Sequence, residues 1–110
     1  MRLQHTSHDL SVAQQRLLTR MREIQFGRIE GLAVTNGDPV FQKGSIVVRE
    51  IKFGASDSHN AVAQDRDFTL KSQVIEMFEY LRHMREGVVE VLEIKNGLPF
   101  RMSVKETIGG

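Results

Sequence analysis

Two stretches of the chain carry apolar residues at helical spacing. Over residues 10–25, LSVAQQRLLTRMREIQ, Ala13, Leu17, Met21 and Ile24 fall at i, i+4, i+8 and i+11 and draw one apolar stripe. Over about 68–85, Leu70, Val74, Met77, Phe78, Leu81 and Met84 repeat in the same way. Ser11 with Gln14 three residues on predicts a capping box for the first helix, with Asp9 as a competing N-cap, and Asp67 is placed to cap the second. Gly27 and Gly87 are positioned to stop the helices by turning left-handed.

Elsewhere the period is two. Residues 28–35 and 39–42 predict strands around Asn36-Gly37, and 88–95 and 99–106 predict strands around Asn96-Gly97. Asn-Gly is the preferred pair for a type I′ hairpin turn, whose two central residues need positive φ. After a Lys43-Gly44-Ser45 break, SIVVREIKF (45–53) reads as a third, β-branched strand. Residues 1–8 read as a polar arm, 54–66 as a polar, mobile surface loop and 107–110 as a tail. The expected fold is a single α+β domain over 1–110, a four- to five-stranded, mainly antiparallel sheet with two helices. A first helix–hairpin unit with its extra strand covers 9–53, and a second unit covers 67–106.

The two hairpins resemble each other. GRIEGLAVTNGDPVF (27–41) aligned without gaps on GVVEVLEIKNGLPFR (87–101), at an offset of 60, gives six identities in fifteen positions: Gly27/Gly87, Glu30/Glu90, Leu32/Leu92, Asn36/Asn96, Gly37/Gly97 and Pro39/Pro99. Average composition would give about one. Hairpin chemistry alone accounts for the glycines and the turns, and accounts less well for Glu, Leu and Pro recurring in step. The expectation is an α-β-β-(β)-α-β-β chain made of two copies of one unit.

Turn geometry extends this reading. A two-residue turn sets Val34 opposite Pro39 and Ile94 opposite Pro99, so each proline, which has no N–H, must face a free outer edge. Strict alternation then puts Val89, Val91, Phe100, Met102 and Val104 on one face, the natural seat for the helices. Leu32, Val34, Phe41, Leu92 and Ile94 fall on the other face. A sheet apolar on both sides wants cover on both, so these five residues are candidates for a partner interface, a second copy of the chain among the possible partners. A helix on each face, or a bulge that shifts the register, is the competing explanation.

Composition adds exclusions. The 110 residues include no Cys and no Trp, which removes disulfide scaffolds, thiolate zinc sites, iron–sulfur clusters and cysteine nucleophiles. Apolar runs are far short of a membrane span, and MRLQHTSHDLS lacks the apolar stretch of a signal peptide, so the cytosol is the expected compartment. The formal net charge is +1, with eight Lys/Arg against five Asp/Glu in residues 1–54 and seven against nine in 55–110. That is no strong basic footprint for nucleic acid.

The search for chemistry yields little. His5 and His8 lack further clustered ligands, and His59 with Asp57, Asp65 and Asp67 matches no calcium-loop spacing, so no metal site is assigned. His83 falls on the polar side of the second helix near its C-terminus, where positive charge suits the dipole. Glu30 and Glu90, at matching positions, could meet as paired carboxylates, though they read more simply as the solvated end of a strand face. No catalytic residue and no cofactor site is assigned, and no glycine loop fits a phosphate cradle. Arg16 and Arg20 lie one turn apart on the first helix and are the candidate anion-binding pair.

The run LLTRMREIQFGRIEGLAVTNG (17–37) resembles the YezD-like family of small bacterial proteins, in which an amphipathic helix passes through an Ile-x-Phe-Gly step into a glycine-turn hairpin. Ile24, Phe26 and Gly27 fit that step. Arg28 stands where the family usually has a small hydroxyl residue, the extra strand is added, and the second copy lacks the Ile-x-Phe step. The resemblance covers about a third of the chain and implies an architecture and a bacterial origin, with no activity and no site. Residues 27–110 are also similar in element order to ubiquitin-like β-grasp proteins, whose exposed di-glycine tail is conjugated, as Gly109-Gly110 would be.

The leading functional expectation is a non-enzymatic, cytosolic protein-interaction module, a homodimer in one version, that works through Leu32, Val34, Phe41, Leu92 and Ile94. The alternatives are a binder of nucleic acid or another anionic partner through Arg16 and Arg20, and a ubiquitin-like modifier.

Overall fold

The structure, a computed structural model, describes residues 10–54 and 72–106. Helix α1 spans Val12–Ile24 and is followed by strands β1 (Phe26–Thr35), β2 (Asp38–Val40) and β3 (Ile46–Arg49). Helix α2 (Ser72–Met84) leads into β4 (Gly87–Lys95) and β5 (Leu98–Lys105). The expected Asp67 cap, Leu70, His5, His8, His59 and Gly109-Gly110 lie outside the described residues. The result is an α+β fold with two helices and one five-stranded antiparallel sheet, ordered β2-β1-β4-β5, with β3 also on β1. Because β4 pairs along β1 from Phe26 to Val34, β2 and β3 share the opposite edge of β1, β2 at its C-terminal end and β3 at its N-terminal end.

Helix α1 starts on the expected capping box. The Gln14 N–H donates to Ser11 Oγ at 3.1 Å, and the Ser11 N–H donates to Gln14 Oε1 at 2.9 Å. Ser11 Oγ in turn donates to Asp38 Oδ1 at 3.1 Å, tying the cap to the start of β2. The helix ends differ from expectation. Gln25 (φ 63°) and Arg85 (φ 66°) take the positive-φ positions, while Gly27 and Gly87 already belong to β1 and β4. Both glycines serve close packing: a Cβ on Gly27 would collide with the Val48 carbonyl, and one on Gly87 would lie 2.9 Å from the Lys105 carbonyl oxygen.

The strands are also shorter on one side. The first hairpin's return strand stops at Val40, and a turn in which the Ser45 N–H donates to the Gln42 carbonyl at 2.9 Å breaks it before β3 begins. β3 ends at Arg49, so Ile51 and Phe53 lie beyond it. The pairs Val34↔Pro39 and Ile94↔Pro99 form as predicted, with β2 and β5 as outer strands.

Among the described residues one buried cluster forms the core: Leu17, Leu18, Met21 and Ile24 of α1, Val74, Met77, Phe78 and Leu81 of α2, and Ile29, Leu32, Val34, Val89, Leu92 and Ile94 of the sheet. Both helices therefore cover the same face. This corrects the face assignment, since Leu32, Val34, Leu92 and Ile94, expected on an uncovered side, are at most 4% exposed beneath the helices. The physical reason is a slip in the alternation. In β1 the buried positions run 29, 32, 34 and in β4 they run 89, 92, 94, each with two residues between the first and second. Gly31, at φ 74°, takes up the slip in β1, and in β4 the register against β5 shifts between Val89 and Val91. Met102 and Val104 pack against the core as expected, whereas Phe100 is 53% exposed.

Candidate functional site: the free edge of β3

With Leu32, Val34, Leu92 and Ile94 in the core, Phe41 is the one member of the expected interface that reaches the surface. It is half-buried against the core and borders a shallow, open groove along α1 with Val12, Arg16, Arg20 and Glu23. The structure thus brings Phe41 together with the two candidate anion-binding arginines. Arg20 is already paired with Glu23 at 3.1 Å, so its charge is partly offset.

The carboxylates at matching positions are each engaged by a cation. Glu30 meets Arg28 at 2.6 Å and Glu90 meets Lys105 at 3.1 Å. The exposed His83 has Nδ1 3.3 Å from the Glu79 carbonyl of its own helix. Among the described residues no group of three or more His, Asp or Glu is gathered to hold a metal ion. Among them, too, no helix is long and apolar enough to cross a membrane.

What remains distinctive is the contrast between the two outer edges of the sheet. Along β5, Arg101, Ser103 and Lys105 are exposed, with Arg101 3.4 Å from Glu93 and Lys105 on Glu90. The one exposed large apolar side chain of β5, Phe100, is flanked by cations, with Lys95 Nζ 4.6 Å and the Arg101 guanidinium 5.3 Å from its ring centre. Charge of this kind guards an edge strand against unwanted pairing.

In β3 the only charge is Arg49 at its end, and Ile46, Val47 and Val48 carry none. Its sequence is Ile46-Val47-Val48-Arg49, with Ile46 52% and Val47 41% exposed, and just past its end Ile51 and Phe53 are 65% and 92% exposed. These side chains are β-branched or aromatic, the types that suit a pleated surface. β3 pairs with β1 through Gly27↔Arg49, Arg28↔Val48, Ile29↔Val47 and Glu30↔Ile46, and among the described residues no strand lies on its other side.

The direction of its free backbone groups follows from one bond. The Glu50 N–H donates inward to the Phe26 carbonyl at 2.8 Å. Antiparallel strands alternate the direction of successive residues, so Val48 and Ile46 also face β1, while Val47 and Arg49 present N–H and C=O outward. Sequence reasoning recognised 45–53 as a strand and missed its position. The available signal was the contrast between Ile46-Val47-Val48, free of charge, and the charge-interleaved β5 stretch PFRMSVK. Comparison with family models, with curated proteins and with solved structures finds no match to this chain.

Proposed function

We propose that the chain is a non-enzymatic, cytosolic interaction module that binds an extended strand along the free edge of β3. The observation that carries this reading is the pairing of outward backbone groups at Val47 and Arg49 with the exposed apolar side chains Ile46, Val47, Ile51 and Phe53. Strand addition draws affinity from such main-chain groups and specificity from alternate side chains. The interaction surface is therefore moved from the sheet face to the sheet edge.

The reading takes the scaffold as a doubled helix–hairpin unit. Its support is that α1 (12–24) and α2 (72–84), the positive-φ positions 25 and 85, and the turns at 36–37 and 96–97 all recur at an offset of 60. The interruption at Gln42–Ser45 is what separates β3 in the first unit from the continuous β5 of the second.

The test is site-specific photo-crosslinking in the native cytosol, with a benzophenone side chain at Val47 and, as control, at Arg101 on the β5 edge. The expected outcome is a discrete adduct from Val47 and none from Arg101. Absence of any adduct at Val47 overturns the reading.

A further inference from the structure

We propose that the strand received by β3 is β3 of a second copy of this chain, in antiparallel register about Val47; this rests on the edge-binding reading above. The short, charge-free run Ile46-Val47-Val48 is complementary to itself. Centred on Val47, the pairing sets Val47 against Val47 and Ile46 against Val48 of the second copy, twice by symmetry. Cross-strand pairs of β-branched residues stabilise a sheet, and like charges directly opposite destabilise it. The registers centred on the next two residues are worse. Centring on Val48 puts Ile46 opposite Glu50 and Val47 opposite Arg49, and centring on Arg49 opposes two guanidinium groups.

The backbone agrees with this choice. Val47 faces outward with both N–H and C=O, so two copies of it exchange both bonds as a hydrogen-bonded pair. Arg49, the next outward residue, then lies opposite Ser45 of the second copy. The Ser45 N–H is already spent on Gln42 at 2.9 Å, but its carbonyl can accept from Arg49. Ile46 and Val48 share a sheet face in each copy, so the four residues form one apolar patch across the symmetry axis. The same register carries Ile51 and Phe53 past the end of β3 toward the loop after β2 of the second copy. The product is a continuous sheet across both copies, a twofold assembly whose far ends are the charged β5 edges.

The test uses the full chain. Light scattering and sedimentation equilibrium are expected to give twice the 12.5 kDa chain mass at micromolar concentration. Val47→Lys, at a half-exposed site, is expected to give the monomer mass with an unchanged amide spectrum for α1, α2 and β4. Because the chain has no Cys, Val47→Cys is expected to form a disulfide-linked dimer under mild oxidation, and Ser103→Cys on the β5 edge is not. A monomer mass at every concentration together with no Val47→Cys crosslink overturns self-pairing. If the crosslinker at Val47 then captures only a different protein, self-pairing fails while the edge-binding reading stands.

Discussion

The Gly37 N–H donates to the Arg85 carbonyl at 2.9 Å, and the Gly97 N–H donates to the Gln25 carbonyl at 3.0 Å. Each helix thus ends over the turn of the other helix's hairpin, and the last carbonyls left without intrahelical partners are satisfied across the domain. Glu86 strengthens one side by accepting the Asn36 N–H at 3.1 Å. This crossed docking locks the two units together, since neither turn can open without freeing the opposite helix end.

The two turn glycines should therefore be sensitive to a single methyl group. Gly37 (φ 82°) would place a Cβ 3.1 Å from Arg82 Cα, and Gly97 (φ 74°) would place one 2.9 Å from Gln25 Nε2. Gly37→Ala and Gly97→Ala are each expected to cost about 1–2 kcal/mol from the left-handed conformation alone. Denaturant midpoints should fall with an unchanged slope.

Gly27→Ala should act locally on β3. The added Cβ would collide with the Val48 carbonyl and lie 3.0 Å from Arg49 Cα, both backbone atoms that cannot rotate away. The expected result is separation of β3 from β1. Hydrogen exchange should show faster exchange at Val48 and Glu50, with protection kept across β1–β4, and the second-copy contact should be lost.

Leu92 is 1% exposed and pairs with Ile29, itself fully buried, at the centre of the sheet. Leu92→Ala is expected to destabilise by about 2–5 kcal/mol through lost contacts and a residual cavity. Leu92→Asp, which buries an unpaired carboxylate, should prevent folding altogether. A well-folded Leu92→Asp chain, read by its near-ultraviolet dichroism, would contradict the core assignment.

Tyr80 of α2 donates its hydroxyl to the Glu106 carboxylate just past β5. This hydrogen bond, with smaller contributions from desolvation and from the Glu106 charge, raises the phenol above its ordinary pKa of 10.0. A raised folded-state pKa means that the folded chain holds the proton longer, so the contribution is complete below pH 10 and is lost as pH climbs through the folded-state value. The phenolate absorbance of the native protein should titrate above the ordinary value, and Glu106→Gln should bring it back toward it.

The local pattern already contained much of the fold. Helical spacing at Leu17, Met21, Leu81 and their neighbours, the Ser11–Gln14 box and the two Asn-Gly turns determined the elements and their order, because caps and tight turns depend on a few adjacent residues. Val34↔Pro39 and Ile94↔Pro99 followed from turn length alone. The tertiary structure decided which face each residue takes and which edge is left open. Alternation cannot foresee that a positive-φ Gly31 and a register shift after Val89 swing Leu32, Val34, Leu92 and Ile94 beneath the helices. Nor can it foresee that the break at Gln42–Ser45 leaves Ile46 and Val47 on an outer edge, because pairing partners are set by contacts far apart in the chain. Local chemistry sets the pieces, whereas long-range packing of β1 on β4 places Leu32, Val34, Leu92 and Ile94 in the core and leaves Ile46 and Val47 exposed on β3.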